Sequence, residues 1–518
     1  MKNQQRKSSN VVVLGITLCL MLAIPGIYRV AMVDDAPLLW IVPNLLSCAM
    51  TTIVLLCIRR YWVFTPLMLL AMFASGMESF LIVAYKDFIR CGNLLSTFGT
   101  NTRESSNFAS NNVGNLMWVV PVLVLAIVVL VLRWKMPIFP WQQRLKRAVA
   151  SLVILAATVI GGTAEQYPPF NFFVQAYTAI HQTAEKKLLI PEGDDMTFGA
   201  QRADTTTSRE IYVFGVGESL RYDHTSFAGY ERNTTPELAA NPNVIAYDNY
   251  FSTATLTLYS VPMMITRANV ENFNLNFTEK SIVYPFHECG FKTFVISCKK
   301  FLSQQPYLSR GCDQLISVSK DAEIPHVVDS LSALYPKTFF IVQLFQCHSY
   351  YSNFTPEYDR FHPNLVSDPG VEDKDLYLNA YDNAVLYTDH VMSTLLKTID
   401  KPDTRSSFIF ASDHGEVLDI HGHRRGNNMT PPPAEYHVPM LFWSNEAWAE
   451  SHPEAAQMVR KHRQQPVNGD ILFYSALDMA GITLPDTYAH PELSVLSPQF
   501  KPYVRKFLLP DGRSTLEF

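Results

Sequence analysis

Five long apolar runs fill the first third of the chain: Val11–Met32, Leu38–Ile58, Val63–Tyr85, Val113–Leu132 and about Leu145–Ala164. Most approach the roughly 20 residues that a helix needs to cross a bilayer. The first is too long, and its continuation too apolar, for a cleaved signal peptide. From residue 208 the pattern changes. Short apolar runs alternate with helical patterns there, which predicts an α/β domain around a largely parallel sheet. The predicted strands are Glu210–Gly217, Lys292–Ser297, Thr338–Phe345, Ser407–Ala411 and Val438–Trp443, and a helix is predicted over Leu376–Ile399, closed by Lys401-Pro402. Between the two patterns, Tyr167 to Tyr177 mixes aromatic and polar residues, as a helix lying at the headgroup level does, and Pro191-Glu-Gly-Asp-Asp195 reads as a turn. The expected organisation is a five-helix transmembrane domain over 1–164, an amphipathic connector over 165–207 and an α/β domain over 208–518.

Charge orients the first half. Lys2, Arg6 and Lys7 precede the first run, Arg59 and Arg60 separate the second from the third, and Arg133, Lys135, Arg144, Lys146 and Arg147 separate the fourth from the fifth. The opposite loops carry Asp34 and Asp35, or the mixed polar segment Lys86–Asn112. The positive-inside rule puts the N-terminus in the cytoplasm, and five crossings then put everything after residue 165 outside it. If the fifth run were only a surface helix, the α/β domain would be cytosolic. Glu78 lies within the third run. An ionisable residue there is a functional candidate, although a place near the outer interface beside Lys86 is the plainer reading. The net charge of −5 leaves no nucleic-acid footprint. Of eight cysteines, Cys19, Cys48 and Cys57 sit in apolar runs. Cys289, Cys298, Cys312 and Cys347 allow one or two disulfides in an extracytoplasmic domain without fixing the pairing.

The candidate chemistry sits at the strand ends. Glu218 follows the first predicted strand, His348 the third, and Asp413 and His414 the fourth. Open α/β sheets bind ligands outside the carboxyl ends of their strands, so these groups would meet if the strands are neighbours. Taken alone, each is also an ordinary helix cap or surface charge. Mixed oxygen and imidazole ligands suit zinc, and manganese less well. Glu218, Asp413 and His414 supply three ligands and leave a fourth position for a hydroxyl. The stretch Phe251–Pro262 offers Thr253, Thr255, Thr257 and Ser260. Zinc would lower the pKa of such a hydroxyl as it does that of water, making it a nucleophile for phosphorus. The alternation of the three threonines is also that of a strand's polar face, and it does not choose among them. His348, His421 and His423 are the histidines available to bind phosphoryl oxygens.

These residues resemble a known family, the inner-membrane phosphoethanolamine transferases of Gram-negative bacteria, within the alkaline phosphatase and sulfatase superfamily. The resemblance covers the whole chain. Val216-Gly-Glu218-Ser219 is similar to the family's VGES/VGET metal glutamate, with Gly229-Tyr230 and Thr234-Thr-Pro236 as its continuation. Thr257-Leu-Tyr-Ser-Val-Pro262 resembles T-A-x-S-V-P, whose threonine is the nucleophile; this alone singles out Thr257. Cys347-His348-Ser349 stands where the family has an N-H-G histidine. Asp413-His-Gly-Glu416 matches D-H-G-E, and His421-Gly422 fits a further family histidine better than His423 does. Tyr381-Asp-Asn383 and Tyr387-Thr-Asp389 resemble a helix pattern read as architectural.

The resemblance implies that Thr257, bound to zinc with Glu218, Asp413 and His414, takes phosphoethanolamine from phosphatidylethanolamine, releases diacylglycerol, and passes the group to an envelope lipid or glycan. One zinc is expected to be tightly bound, and a second is left open. The expected enzyme is a monomer of the bacterial inner membrane with a periplasmic catalytic domain. Two departures put lipid A in doubt as the acceptor. Thr253 and Met263 replace the cysteines that flank the family's nucleophile, and Ser297-Cys-Lys-Lys300 with Gly311-Cys312-Asp313 replaces another cysteine-bearing segment. Lys299 or Lys300 is a weak candidate to serve the phosphate. The alternative is a phosphoglycerol transferase of the lipoteichoic-acid-synthase type, using phosphatidylglycerol. A sulfatase is disfavoured because the C/S-x-P-x-R site is absent, and a dead fold because all four of Glu218, Thr257, Asp413 and His414 are present.

Overall fold

The computed structural model describes residues 2–32, 41–85, 94, 113–135, 145–153, 170–188, 197–203, 208–297, 311–345, 347–348, 351, 354–368, 371, 373–418, 430–510 and 512–518. The chain forms two compact units, Met1–Glu185 and Lys186–Phe518.

In the first unit, helices α1 (Lys2–Met32), α2 (Ile41–Leu56), α3 (Tyr61–Tyr85) and α4 (Val120–Trp134) share a core built from Leu18, Leu22, Cys48, Phe64, Met68 and Val129. Among the described residues three helices are long and apolar enough to cross a membrane: Asn10–Met32, Tyr61–Ala84 and Val113–Trp134. The second expected span is a shorter apolar helix of 16 residues. The last long one starts as a tight turn of 3-10 helix over Val113–Val119, before Pro121 sets the entry to α4. Of the expected fifth span only a helix over 145–153 falls within the described residues. The aromatic connector becomes helix α5 (Phe170–Leu188). At the Arg-rich end, the Arg133 guanidinium donates to the carbonyls of Ile58 (2.7 Å) and Arg59 (3.0 Å), which satisfies the last turn before α3.

The second unit is built on a seven-stranded sheet. Its strands are β1 (Arg209–Gly217), β2 (Val244–Tyr247), β3 (Lys292–Ser297), β4 (Gln314–Ser317), β5 (Lys337–Gln343), β6 (Thr404–Ser412) and β7 (Met440–Ser444), in spatial order β2-β7-β6-β1-β5-β3-β4. All the predicted strands are present. The expectation of a largely parallel sheet holds except at β7, which runs antiparallel to both β6 and β2. The short edge strands β2 and β4 escaped the sequence reading, because four residues carry too little periodicity. Strand β1 lies at the centre with eight consecutive buried residues. A strand covered on both faces reads as a continuous apolar run. One cluster, with Tyr212, Phe286 and Phe339, fills one face; another, with Val213, Phe340 and Phe408, fills the other.

The helix α8 (Leu376–Ile399), following α6 (Thr257–Ile265) and α7 (Ile324–Leu334), has the bounds the sequence predicts. Its buried polar residues are tie points. Asp382 accepts from Tyr230 Oη (2.8 Å) and Arg232 (2.7 Å) and pairs with His224 Nδ1 (2.7 Å). Asn383 accepts from the backbone N–H groups of Arg360 and Phe361, and Asp389 from those of Glu237 and Leu238, all at 2.9 Å. They hold the loops beside the sheet edge. Cys289, Cys312 and Cys347 are free thiols, so none of them forms the disulfide the sequence allowed. Cys298, Lys299 and Lys300 lie outside the described residues.

Candidate active site

Neighbouring strands deliver the ligand candidates. Strand β1 pairs in parallel with β6 from Arg209↔Thr404 to Gly217↔Ser412, so Glu218 and Asp413 leave the sheet side by side. Glu218, Asp413 and His414 are all buried, with ligand atoms within 4.8 Å of one another. His414 Nε2 lies 3.5 Å from both Glu218 Oε1 and Asp413 Oδ2. Three local devices hold them. Ser219 adopts φ 58°, a left-handed conformation uncommon outside glycine. There its Oγ donates to Glu218 Oε1 (2.8 Å) and its N–H to Asp413 Oδ1 (3.1 Å). Tyr381 Oη donates to the Ser219 carbonyl (2.8 Å) and so pins that turn from α8. His414 Nδ1 donates to the Gly415 carbonyl (2.7 Å), which leaves the Nε2 lone pair facing the carboxylates. Gly415 is needed because a Cβ there would fall 2.0 Å from the Ala434 carbonyl oxygen. The sequence analysis read Tyr381 as architectural, and its bond to the Ser219 carbonyl agrees with that; the support given by Ser219 was missed, because it depends on a left-handed turn.

Thr257 opens α6 and does not lie on a strand. The threonine alternation looked like a strand's polar face, but β-structure ends after Tyr250–Phe251 and the chain turns into a helix whose residues from Tyr259 to Ile265 are buried. Thr257 reaches the cluster: its Oγ1 lies 3.3 Å from His414 Nε2 and 3.5 Å from Glu218 Oε2. Thr257 is partly exposed and the other three are buried, so the hydroxyl is the group a substrate can touch. His348 lies in the turn after β5 with its ring stacked on Phe345 (4.3 Å). The adjacent Cys347 is buried, within electrostatic reach of Glu416 and Glu218, and burial pushes its thiol up to about 12. It stays protonated and is no rival nucleophile. His421 and His423 lie outside the described residues.

The three groups fit a divalent cation. Two buried carboxylates, Glu218 and Asp413, face each other beside the His414 ring, and Asp413 Oδ2 accepts no hydrogen bond. Burial and then the Glu218 carboxylate push the Asp413 carboxyl up to about 6. A cation of mixed oxygen and imidazole preference resolves both defects. Protons compete with metal for such a ligand. Zinc affinity, titrated against a chelator buffer, is therefore expected to fall by about tenfold per pH unit below about 6 and to level off above it.

Helix α6 is braced from the far end of the chain, by the hairpin β8 (Lys506–Leu508) and β9 (Thr515–Glu517), which follows α9 (Ile471–Met479). The Leu508 N–H donates to the Thr253 carbonyl (2.8 Å), and the Leu508 side chain closes a small core with Ala254, Leu256, Tyr259 and Met263. Gly512, at φ 68°, passes so close to Tyr259 that a Cβ would lie 2.6 Å from its hydroxyl. The Arg505 guanidinium sits 3.6 Å over the Phe251 ring. Leu508→Ala is expected to destabilise the fold by about 2–3 kcal/mol and to slow Thr257 modification while zinc content stays unchanged, read by melting and metal analysis of the same preparation.

A sheet with a hydroxyl and a mixed carboxylate–imidazole cluster at its carboxyl edge is the arrangement of the alkaline phosphatase–sulfatase class. The sulfatase family profile matches residues 210–482, and the profile described as phosphoethanolamine transferase EptA/EptB matches residues 47–185. The chain belongs to the sulfatase family, in its phosphoethanolamine transferase branch. Phosphoethanolamine transferase EptC of Escherichia coli O18:K1:H7 is 27% identical over 458 residues, covering 80% of this chain and 78% of that protein. Phosphatidylethanolamine transferase Mcr-1 of Escherichia coli is 24% identical over 77% of this chain and 81% of its own. Two solved structures share the fold. Lipooligosaccharide phosphoethanolamine transferase A of Neisseria meningitidis, an integral membrane protein, has a TM-score of 0.71 at 17% identity over 94% of this chain and 98% of that one. The periplasmic domain of Escherichia coli EptC in complex with Zn has a TM-score of 0.53 at 24% identity over 62% and 95%.

Proposed function

We propose that the chain transfers phosphoethanolamine from phosphatidylethanolamine to an acceptor of the cell envelope, lipopolysaccharide, lipid A or a periplasmic glycan, through a phosphorylated Thr257. The observation that carries this reading is the Thr257 hydroxyl at a helix N-terminus, within 3.5 Å of both Glu218 and His414. Glu218, Asp413 and His414 would hold one zinc, with Thr257 completing the set, and a second ion is left open. When bound, zinc supplies Lewis-acid chemistry: it lowers the pKa of a hydroxyl and stabilises charge on phosphoryl oxygens. Thr257 Oγ1 bonds to the donor phosphorus, the P–O bond to diacylglycerol breaks, and the threonine proton leaves with the diacylglycerol. An acceptor hydroxyl or hydrogen-phosphate oxygen then bonds to phosphorus, the bond from phosphorus to Thr257 Oγ1 breaks, and the proton the acceptor gives up returns Thr257 to its hydroxyl. The amides at the start of α6 and its dipole favour the phosphoryl anion, and His348, His421 and His423 are assigned to its oxygens. The protein acts as a monomer, with five spans over residues 1–164 keeping the enzyme in the membrane that holds its donor, a connector over 165–207, and the catalytic domain over 208–518 in the periplasm. Incubation with headgroup-labelled phosphatidylethanolamine is expected to label the Thr257 peptide in mass spectrometry. Labelling from phosphatidylglycerol instead would favour the phosphoglycerol transferase. Lipid and glycan mass spectrometry of cells with and without the gene identifies the acceptor.

A further inference from the structure

The membrane unit contains a polar site that phosphotransfer leaves unused. Ser75, Glu78 and Ser79 of α3 are fully buried, and their spacing of three and four residues puts them on one face of the helix. Ser75 Oγ, Ser79 Oγ and Glu78 Oε2 have no hydrogen-bond partner. Helical serines ordinarily donate back to the carbonyl four residues earlier. The other Glu78 oxygen accepts from Asn171 Nδ2 of α5 at 2.8 Å, and Arg29 of α1 lies within electrostatic reach of the carboxylate. Glu78 is therefore packed inside the membrane unit and does not face water, wherever along the membrane normal it lies.

Position and chemistry point to one kind of occupant. Glu78 lies seven residues before the end of α3, about 10 Å along the helix. Arg29 is three residues from the end of α1, and Asn171 is the second residue of α5. These are the helix ends that the flanking charges place on the extracytoplasmic side, at the depth of the headgroup boundary. Three unpartnered acceptors, one of them a carboxylate oxygen, are costly to bury in an apolar unit. A primary ammonium brings three N–H donors and matches the three oxygens in number, and its positive charge would share the Glu78 carboxylate with Arg29. We propose that Ser75, Glu78 and Ser79 bind the primary ammonium of ethanolamine, so that the membrane unit itself selects the ethanolamine lipid. The identity of that lipid rests on the transferase reading.

The test uses full-length Thr257→Ala protein in phosphatidylglycerol nanodiscs doped with equal fractions of phosphatidylethanolamine and phosphatidylcholine, whose trimethylated nitrogen has no N–H. Bound lipid is counted by native mass spectrometry. Phosphatidylethanolamine is expected to be retained over phosphatidylcholine by at least about tenfold. Glu78→Gln keeps an oxygen for Asn171 and loses the charge, and is expected to abolish the preference. Glu78→Asp is expected to keep part of it, and Ser75→Ala with Ser79→Ala to reduce it. Equal retention of both lipids in the parent, or an unchanged preference in Glu78→Gln, overturns the site. Glu78-sensitive retention of free ethanolamine, in discs lacking phosphatidylethanolamine, would assign the ammonium site to the soluble amine as occupant. If the preference is present but Thr257 of the wild-type enzyme is never labelled from phosphatidylethanolamine, the transferase reading fails and the site stands. If Thr257 is labelled and the preference is absent, only the site fails.

Discussion

Thr257→Ala enzyme is expected to carry no label from phosphatidylethanolamine and to lose transfer by at least about a thousandfold, because the group proposed to bond to phosphorus is gone. Neighbouring hydroxyls cannot replace it. Thr253 is buried and its carbonyl is tied to Leu508, and Ser260 Oγ, one turn on, donates to the Leu256 carbonyl at 3.2 Å. Thr257→Ser keeps the oxygen at the start of α6 and is expected to restore labelling at a reduced rate. Glu218, Asp413 and His414 are untouched in both variants, so zinc is expected to be retained in both, more weakly in the alanine variant, which lacks the hydroxyl that completes the set. Label persisting in the alanine variant, located elsewhere by mass spectrometry, would assign the nucleophile to another residue.

Asp413→Asn is expected to lose zinc and transfer together, measured by elemental analysis and lipid assay, and yet to raise the stability of the metal-free protein. The sign follows from linkage. Asp413 is raised from 3.8 to about 6 in the fold by burial and by Glu218. Its contribution to stability is full below the unfolded value and is lost as pH rises through about 6. At neutral pH the metal-free protein therefore holds a carboxylate penalised by on the order of 2–3 kcal/mol, which asparagine removes. After chelation the variant is expected to melt above the wild type at pH 7, and the gap should close toward pH 4. With zinc present the order reverses, since binding stabilises only the chain that holds the ion, by about 4 kcal/mol at a thousandfold excess over Kd. A variant that melts below the wild type in both states would show that Asp413 serves the fold and not a metal.

Much of the site was legible in the sequence because it depends on the sheet. Strands β1, β5 and β6 show as apolar runs, and a carboxylate or imidazole just past each end has one place to go, the carboxyl edge. Helix α8 was legible to the residue, because its apolar period is long and Lys401-Pro402 stops it. The threonine stretch was not legible. Thr253, Thr255 and Thr257 alternate as in a strand, and only the resemblance to family motifs selected Thr257. The physical reason for the selection lies elsewhere in the chain: Leu508 and Tyr259 enclose one small core, and that packing starts a helix at Thr257. The cysteines missing around this loop had left its support unexplained, and the hairpin of Lys506–Leu508 with Thr515–Glu517 supplies one.

By itself, the sequence determined what short-range pattern can encode: an apolar half with its Lys/Arg-marked side, an α/β half, and carboxylates and imidazoles of the types that suit a metal at three strand ends. The tertiary structure decided what depends on contacts between residues far apart in the chain. Glu218 and Asp413 meet because β1 and β6 pair in register. Ser219 holds a strained φ because α8 pins it through Tyr381. Glu78 is joined to Asn171, 93 residues away. Local propensity carries no information about such pairs, because chain folding and not sequence neighbourhood brings them within hydrogen-bond distance.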